Sequence, residues 1–170
     1  MGTLALKEAS LSSDSFDFKM RNATSASASF TLDGNRSKIT AFQTDDVQCD
    51  LDFEDRLGVF TPNSGETKIE LPIQQYICFM DRFRWYMDED EIDLLSNRMQ
   101  EDLPLDFSND RTISNFISAH PDQDSLHFLS SSATYRIGED LLLCKGVLSL
   151  AVAGSRILPD SGFLTIRADA

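Results

Sequence analysis

Apolar and polar residues alternate through much of the first 72 positions. Phe16, Phe18 and Met20 are interleaved with Ser15, Asp17 and Lys19; Ala26, Ala28, Phe30 and Leu32 with Ser25, Ser27, Ser29 and Thr31; Val47, Cys49, Leu51 and Phe53 with Gln48, Asp50, Asp52 and Glu54. A period of two puts one face of each strand in a core and the other in water, which predicts antiparallel sheet rather than buried parallel strands. Asp33-Gly34 precedes the Ile39–Phe42 run, and Pro62-Asn63-Ser64-Gly65 separates Val59-Phe60 from Ile69–Leu71. Both read as hairpin turns.

From Pro72 the period changes. Ile73, Tyr76, Ile77, Met80, Phe83 and Met87 recur at helical spacing behind a proline suited to a first turn, and Cys78, Phe79, Trp85 and Tyr86 broaden the apolar face. Asp88-Glu89-Asp90-Glu91 resembles a capping box and predicts a second helix with Ile92, Leu95, Met99 and Leu103 buried and Pro104 as its stop. Asn109 or Asp110 is expected to cap a short third helix through Ile113, Phe116 and Ile117 that ends near His120-Pro121. Strand signals return at Leu126–Leu129, Ala133–Ile137, Leu141–Cys144, Val147–Val152 and Phe163–Ile166, punctuated by Gly138-Glu139-Asp140, Gly146 and Pro159-Asp160-Ser161-Gly162.

The expected fold is therefore α+β in the order β-α-β. One domain spans residues 1–170, with strands over 1–72, a two- to three-helix insertion over 73–120 and strands again over 125–170. Alternation does not choose between a sandwich and a barrel, because closure depends on pairings that periodicity does not report.

Composition narrows the function. Fifteen Lys and Arg against 28 Asp and Glu leave a formal charge of −13, which disfavours binding to phosphate backbones. The longest apolar tract, Leu141–Ala153, is broken by Lys145 and Ser149 and is too short to span a bilayer, and the N-terminal residues lack a basic stretch followed by a hydrophobic one. Cytoplasmic synthesis of a soluble protein is the expectation. Cys49, Cys78 and Cys144 are widely spaced and lie in apolar or alternating stretches, the usual setting of buried, inert thiols.

Candidate chemistry is sparse. Asp50, Asp52 and Glu54 share the wet face of one strand; they suit a solvated surface or the docking of a basic partner, and they lack the spacing of a calcium loop. His120 and His127 are the only histidines, and a nearby serine with Asp124 as orienter would be needed to make His127 catalytic. No phosphate loop, dinucleotide turn, metal-binding helix motif or nucleophile elbow is present. No metal or cofactor is expected. The expected function is that of a non-catalytic assembly subunit acting through protein–protein contacts, for example in a virus or phage particle. Phe79, Trp85 and Tyr86 are its candidate interface residues. The rival expectation is an acidic inhibitor or immunity-type protein that covers a basic site through Asp50, Asp52 and Glu54.

Overall fold

The computed structural model describes residues 1–34, 39–98 and 113–168. Among these residues the chain is antiparallel β-strand joined by turns, with two single-turn 3-10 helices, Pro121–Gln123 and Ile137–Glu139. The strands are β1 (Gly2–Leu6), β2 (Ala9–Ser13), β3 (Asp17–Phe18), β4 (Asn22–Asp33), β5 (Thr40–Asp52), β6 (Leu57–Pro62), β7 (Thr67–Leu71), β8 (Tyr76–Met80) and β9 (Arg82–Tyr86). They continue with β10 (Glu91–Leu95), β11 (Phe116–Ser118), β12 (His127–Phe128), β13 (Ser132–Arg136), β14 (Leu141–Lys145), β15 (Leu150–Val152), β16 (Ser155–Ile157) and β17 (Phe163–Arg167).

Every pairing is antiparallel, and the network forks at β5. Its first half pairs with β7 (Gln43 opposite Glu70), and its second half pairs with β6 (Asp50 opposite Val59). The first branch runs β5-β7-β8-β11-β12-β15-β16 and the second β5-β6-β9-β10-β13-β14-β17. At the other side of the fork, β2 and then β1 flank the second half of β4, while β3 flanks its start. The result is two leaves that share the long β4–β5 hairpin and separate toward β16 and β17. That makes the fold an open sandwich.

The hairpin turns the corner through irregular register at Ser25, Ala28 and Phe30 of β4, opposite Asp46, which adopts φ 54°. Such bulges bend a strand and increase its twist. The Asp46 carboxylate accepts hydrogen bonds from Asn63 Nδ2 at 2.7 Å and Ser27 Oγ at 2.9 Å, fastening the bend to the β6–β7 connection. Pro62–Gly65 thus serves as a crossover between leaves rather than a hairpin turn.

The leaves close on one core. Phe30 and Phe42 from the first leaf meet Phe60, Phe83 and Trp85 from the second: Phe30 lies 4.8 Å from Phe60 and 5.5 Å from Trp85, Phe42 lies 5.1 Å from Phe83, and Phe60 stacks on Phe83 at 4.4 Å. Further along, Gln74 in the β7–β8 turn donates through Nε2 to the Asp140 carbonyl in the β13–β14 turn at 2.9 Å. The Arg98 guanidinium grips Glu66 at 2.5 and 2.6 Å and donates to the carbonyls of Ile113 and Ser114.

The helical insertion does not exist in the described part of 73–120. Tyr76, Cys78 and Met80 of β8 and Phe83 and Trp85 of β9 point inward, whereas Ile77, Phe79, Arg82, Arg84 and Tyr86 point outward. The phase slips at Asp81, where the chain passes from one leaf to the other, and two in-phase strands with one slip imitate a three- and four-residue spacing. Strand-favouring Ile77, Phe79, Phe83, Trp85 and Tyr86 fit the pleated form. Pro72 opens a turn closed by Gln75 N–H on the Pro72 carbonyl, and Asp88-Glu89-Asp90 forms the β9–β10 turn with Asp90 at φ 52° instead of capping a helix. Leu94 is inward and Leu95 outward. The expected contributions of Met99, Leu103, Pro104, Asn109 and Asp110 lie outside the described residues. Phe116 belongs to β11, and His120 caps the start of a 3-10 turn, its Nδ1 accepting from Asp122 N–H at 3.0 Å. Phe18 and Met20, expected inside, are exposed.

Candidate functional site

The residues nominated from sequence do not form one patch. Trp85 is 6% exposed and packs in the inter-leaf core. Phe79 lies half-buried on the outer face of the first leaf opposite Lys68, and Tyr86 half-buried on the outer face of the second between Leu57 and Glu91. The acidic trio is also divided. Asp52 Oδ1 accepts the N–H groups of Glu54 and Asp55 at 2.8 and 2.9 Å, closing the β5–β6 turn, and Glu54 is paired with Arg21. Asp50 is exposed on the outer face of β5, opposite Thr24 and Val59.

The serine beside His127 is Ser114, whose Oγ lies 2.8 Å from His127 Nδ1. Both residues are buried, an arrangement suited to a structural hydrogen bond. Among the described residues no cluster of His, Cys, Asp and Glu is disposed to hold a metal, and no helix is long and apolar enough to cross a membrane. All three thiols are buried, and burial pushes each up from its ordinary value.

The feature that sequence reasoning missed is the far end of the sandwich. In the first leaf an inward row passes from Phe30 through Ile69, Cys78, Phe116, Phe128 and Leu150 to Ile157. Its members are fully or almost fully buried up to Leu150, yet Ile157 on β16 is 51% exposed. β16 is the last strand of this leaf among the described residues, as β17 is of the other. Leu148 (52% exposed) and Leu158 (67%) in the neighbouring loops and Phe163 (61%) on the outer face of β17 are exposed as well, and a hydrogen bond from Val147 N–H to the Gly162 carbonyl at 2.9 Å holds the two flanking loops together. Both strands here are unpaired on their outer edges among the described residues, as are β1 and β3 at the opposite end, where Met1, Phe18 and Met20 are exposed. Edge strands carrying exposed apolar side chains are ready templates for another chain.

The charge changes here too. Residues 141–170 carry Lys145, Arg156 and Arg167 against Asp160 and Asp169, the last outside the described residues, whereas the preceding part is strongly acidic. No family model, curated protein or solved structure matches the chain.

Proposed function

We propose that this protein is a non-catalytic assembly subunit whose docking surface is the open end formed by β16, β17 and their loops. The observation that carries the reading is the inward row that emerges uncovered at Ile157, at the end of the chain's fold where Leu148, Leu158 and Phe163 are also exposed. Water against such a surface is removed at a gain of roughly 25 cal/mol per Å² of apolar area, and the edge of β17, unpaired among the described residues, supplies main-chain hydrogen bonds to the same partner. The local excess of cations lowers the repulsion that an acidic chain would otherwise present to an acidic neighbour. The engagement of Asp52 and Glu54 inside the chain weighs against the inhibitor reading. Nothing in the fold favours a virus particle over another assembly as the setting.

Light scattering of the full chain after size exclusion, at several concentrations and at low and high salt, tests this. A defined multiple of 19.0 kDa that survives high salt, and is lost when Leu158 and Phe163 are both changed to Ser, is the expected result. A monomer at every concentration would overturn it.

A further inference from the structure

The open end also specifies its occupant, an inference that rests on the assembly reading above. We propose that β17 pairs antiparallel with β17 of a second copy across a two-fold axis at Thr165, joining the second leaves of both chains into one sheet. The strand reads Phe163-Leu164-Thr165-Ile166-Arg167, and about Thr165 it is self-complementary. Phe163 falls opposite Arg167 of the second copy, and Leu164 falls opposite its Ile166. The first pair lies on the outer face, where Phe163, Thr165 and Arg167 are all exposed, and sets a guanidinium against an aromatic ring. The second lies on the inner face, where Ile166 is buried and Leu164 packs on the core, and continues the apolar rows into the partner. The same operation sets both β16 strands on one side of the joined leaf, so the half-exposed Ile157 meets the apolar end of the other copy.

Strand length favours this contact over a head-to-tail extension of the same leaf, which would place five-residue β17 on two-residue β3. A two-fold contact is closed and gives a dimer; a head-to-tail contact that does not close gives a growing filament.

The axis makes the test specific. Thr165 faces its own copy, so Thr165→Lys opposes two ammonium groups and Thr165→Glu two carboxylates, while an equimolar mixture opposes one of each. Thr165 is exposed on the outer face, so both variants are expected to keep wild-type circular dichroism and Trp85 fluorescence. Sedimentation velocity should show a wild-type dimer, a dissociation constant raised roughly tenfold or more in either variant alone, and recovery of the dimer on mixing. If the wild type forms a defined multimer that neither variant weakens, or that mixing fails to restore, β17 pairing is wrong while the assembly reading stands. Mass that grows without limit overturns the two-fold axis in favour of head-to-tail growth. A wild type that remains monomeric at all concentrations removes both proposals.

Discussion

Phe30 is the side chain on which the two leaves converge, and Phe30→Ala tests the inter-leaf core directly. The ring is fully buried and lies within 6 Å of four other aromatic rings: Phe42 at 5.7 Å, Phe60 at 4.8 Å, Phe83 at 5.7 Å and Trp85 at 5.5 Å. Its neighbours sit on strands of both leaves and cannot all collapse into the vacated space, so the transfer and cavity contributions both apply. Their sum for a buried Phe→Ala change is about 3–5 kcal/mol. A chain of this size shifts its melting midpoint by roughly 2–4 °C per kcal/mol, so a drop of about 6–20 °C is expected. The single Trp85 reports the event, because its indole rests against the ring being removed; urea unfolding followed by its fluorescence should show a lower midpoint at unchanged slope. Phe18→Ala removes the same atoms from an exposed position and should cost under about 0.5 kcal/mol. A double-mutant cycle of Phe30 with Phe83 should return a coupling of about 0.5–1.5 kcal/mol across the leaves. Equal costs for Phe30→Ala and Phe18→Ala would refute the packing of one leaf on the other.

Asp46 makes the corner pH-dependent. The hydrogen bonds from Asn63 and then Ser27 hold its carboxyl below the usual value, so the stability they confer is present above the unfolded value of about 3.8 and disappears as pH falls through the folded one. The gap in urea midpoint between wild type and Asn63→Ala should therefore shrink on going from pH 7 to pH 3, and a constant gap would contradict the linkage. Tyr135 is buried with its hydroxyl raised to about 12, and its oxygen, Gln74 Oε1 and Asp140 Oδ1 lack hydrogen-bond partners among the described residues. Tyr135→Phe is expected to be neutral or stabilising by up to about 1 kcal/mol in thermal unfolding; a loss above about 1 kcal/mol would show that the hydroxyl is satisfied in solution, by Gln74, Asp140 or a bound water. Cys49, Cys78 and Cys144 should resist a thiol reagent in the native state and react together in denaturant, and rapid native labelling would contradict their burial.

The two long strands were legible away from the corner, where Phe30, Leu32, Val47, Cys49 and Leu51 all point where alternation put them; at the corner the phase slips, so that Ala26, expected inside, is exposed and Ser25 is buried. Asp33-Gly34 likewise belongs to the β4–β5 hairpin. The centre misled for a physical reason. Its outward residues include Ile77, Phe79 and Tyr86, so polarity does not mark the face, and the slip at Asp81 shifts the phase halfway through the run. The open end was illegible because it is set by which strand comes last in each leaf, and Ile157 reads locally like any inward strand residue. β16 itself was hidden in a stretch of only three paired residues between turns. Trp85 illustrates the converse: its apolar character was plain, but whether it faces the core or a partner is decided by a leaf contributed from distant sequence.

From β7 onward the hairpins alternate strictly between leaves: β7–β8 and β11–β12 in one, β9–β10 and β13–β14 in the other, then β15–β16 in the first again. Each hairpin finds both an edge to extend and a facing sheet to rest on, already laid down by residues that precede it in the chain. On a ribosome, such a chain can condense vectorially, adding two strands at a time to a growing front without waiting for its C-terminal segment. Lengthening or shortening the protein by a hairpin from each leaf would leave the earlier core unchanged, so this architecture carries its own rule for how it can vary in length.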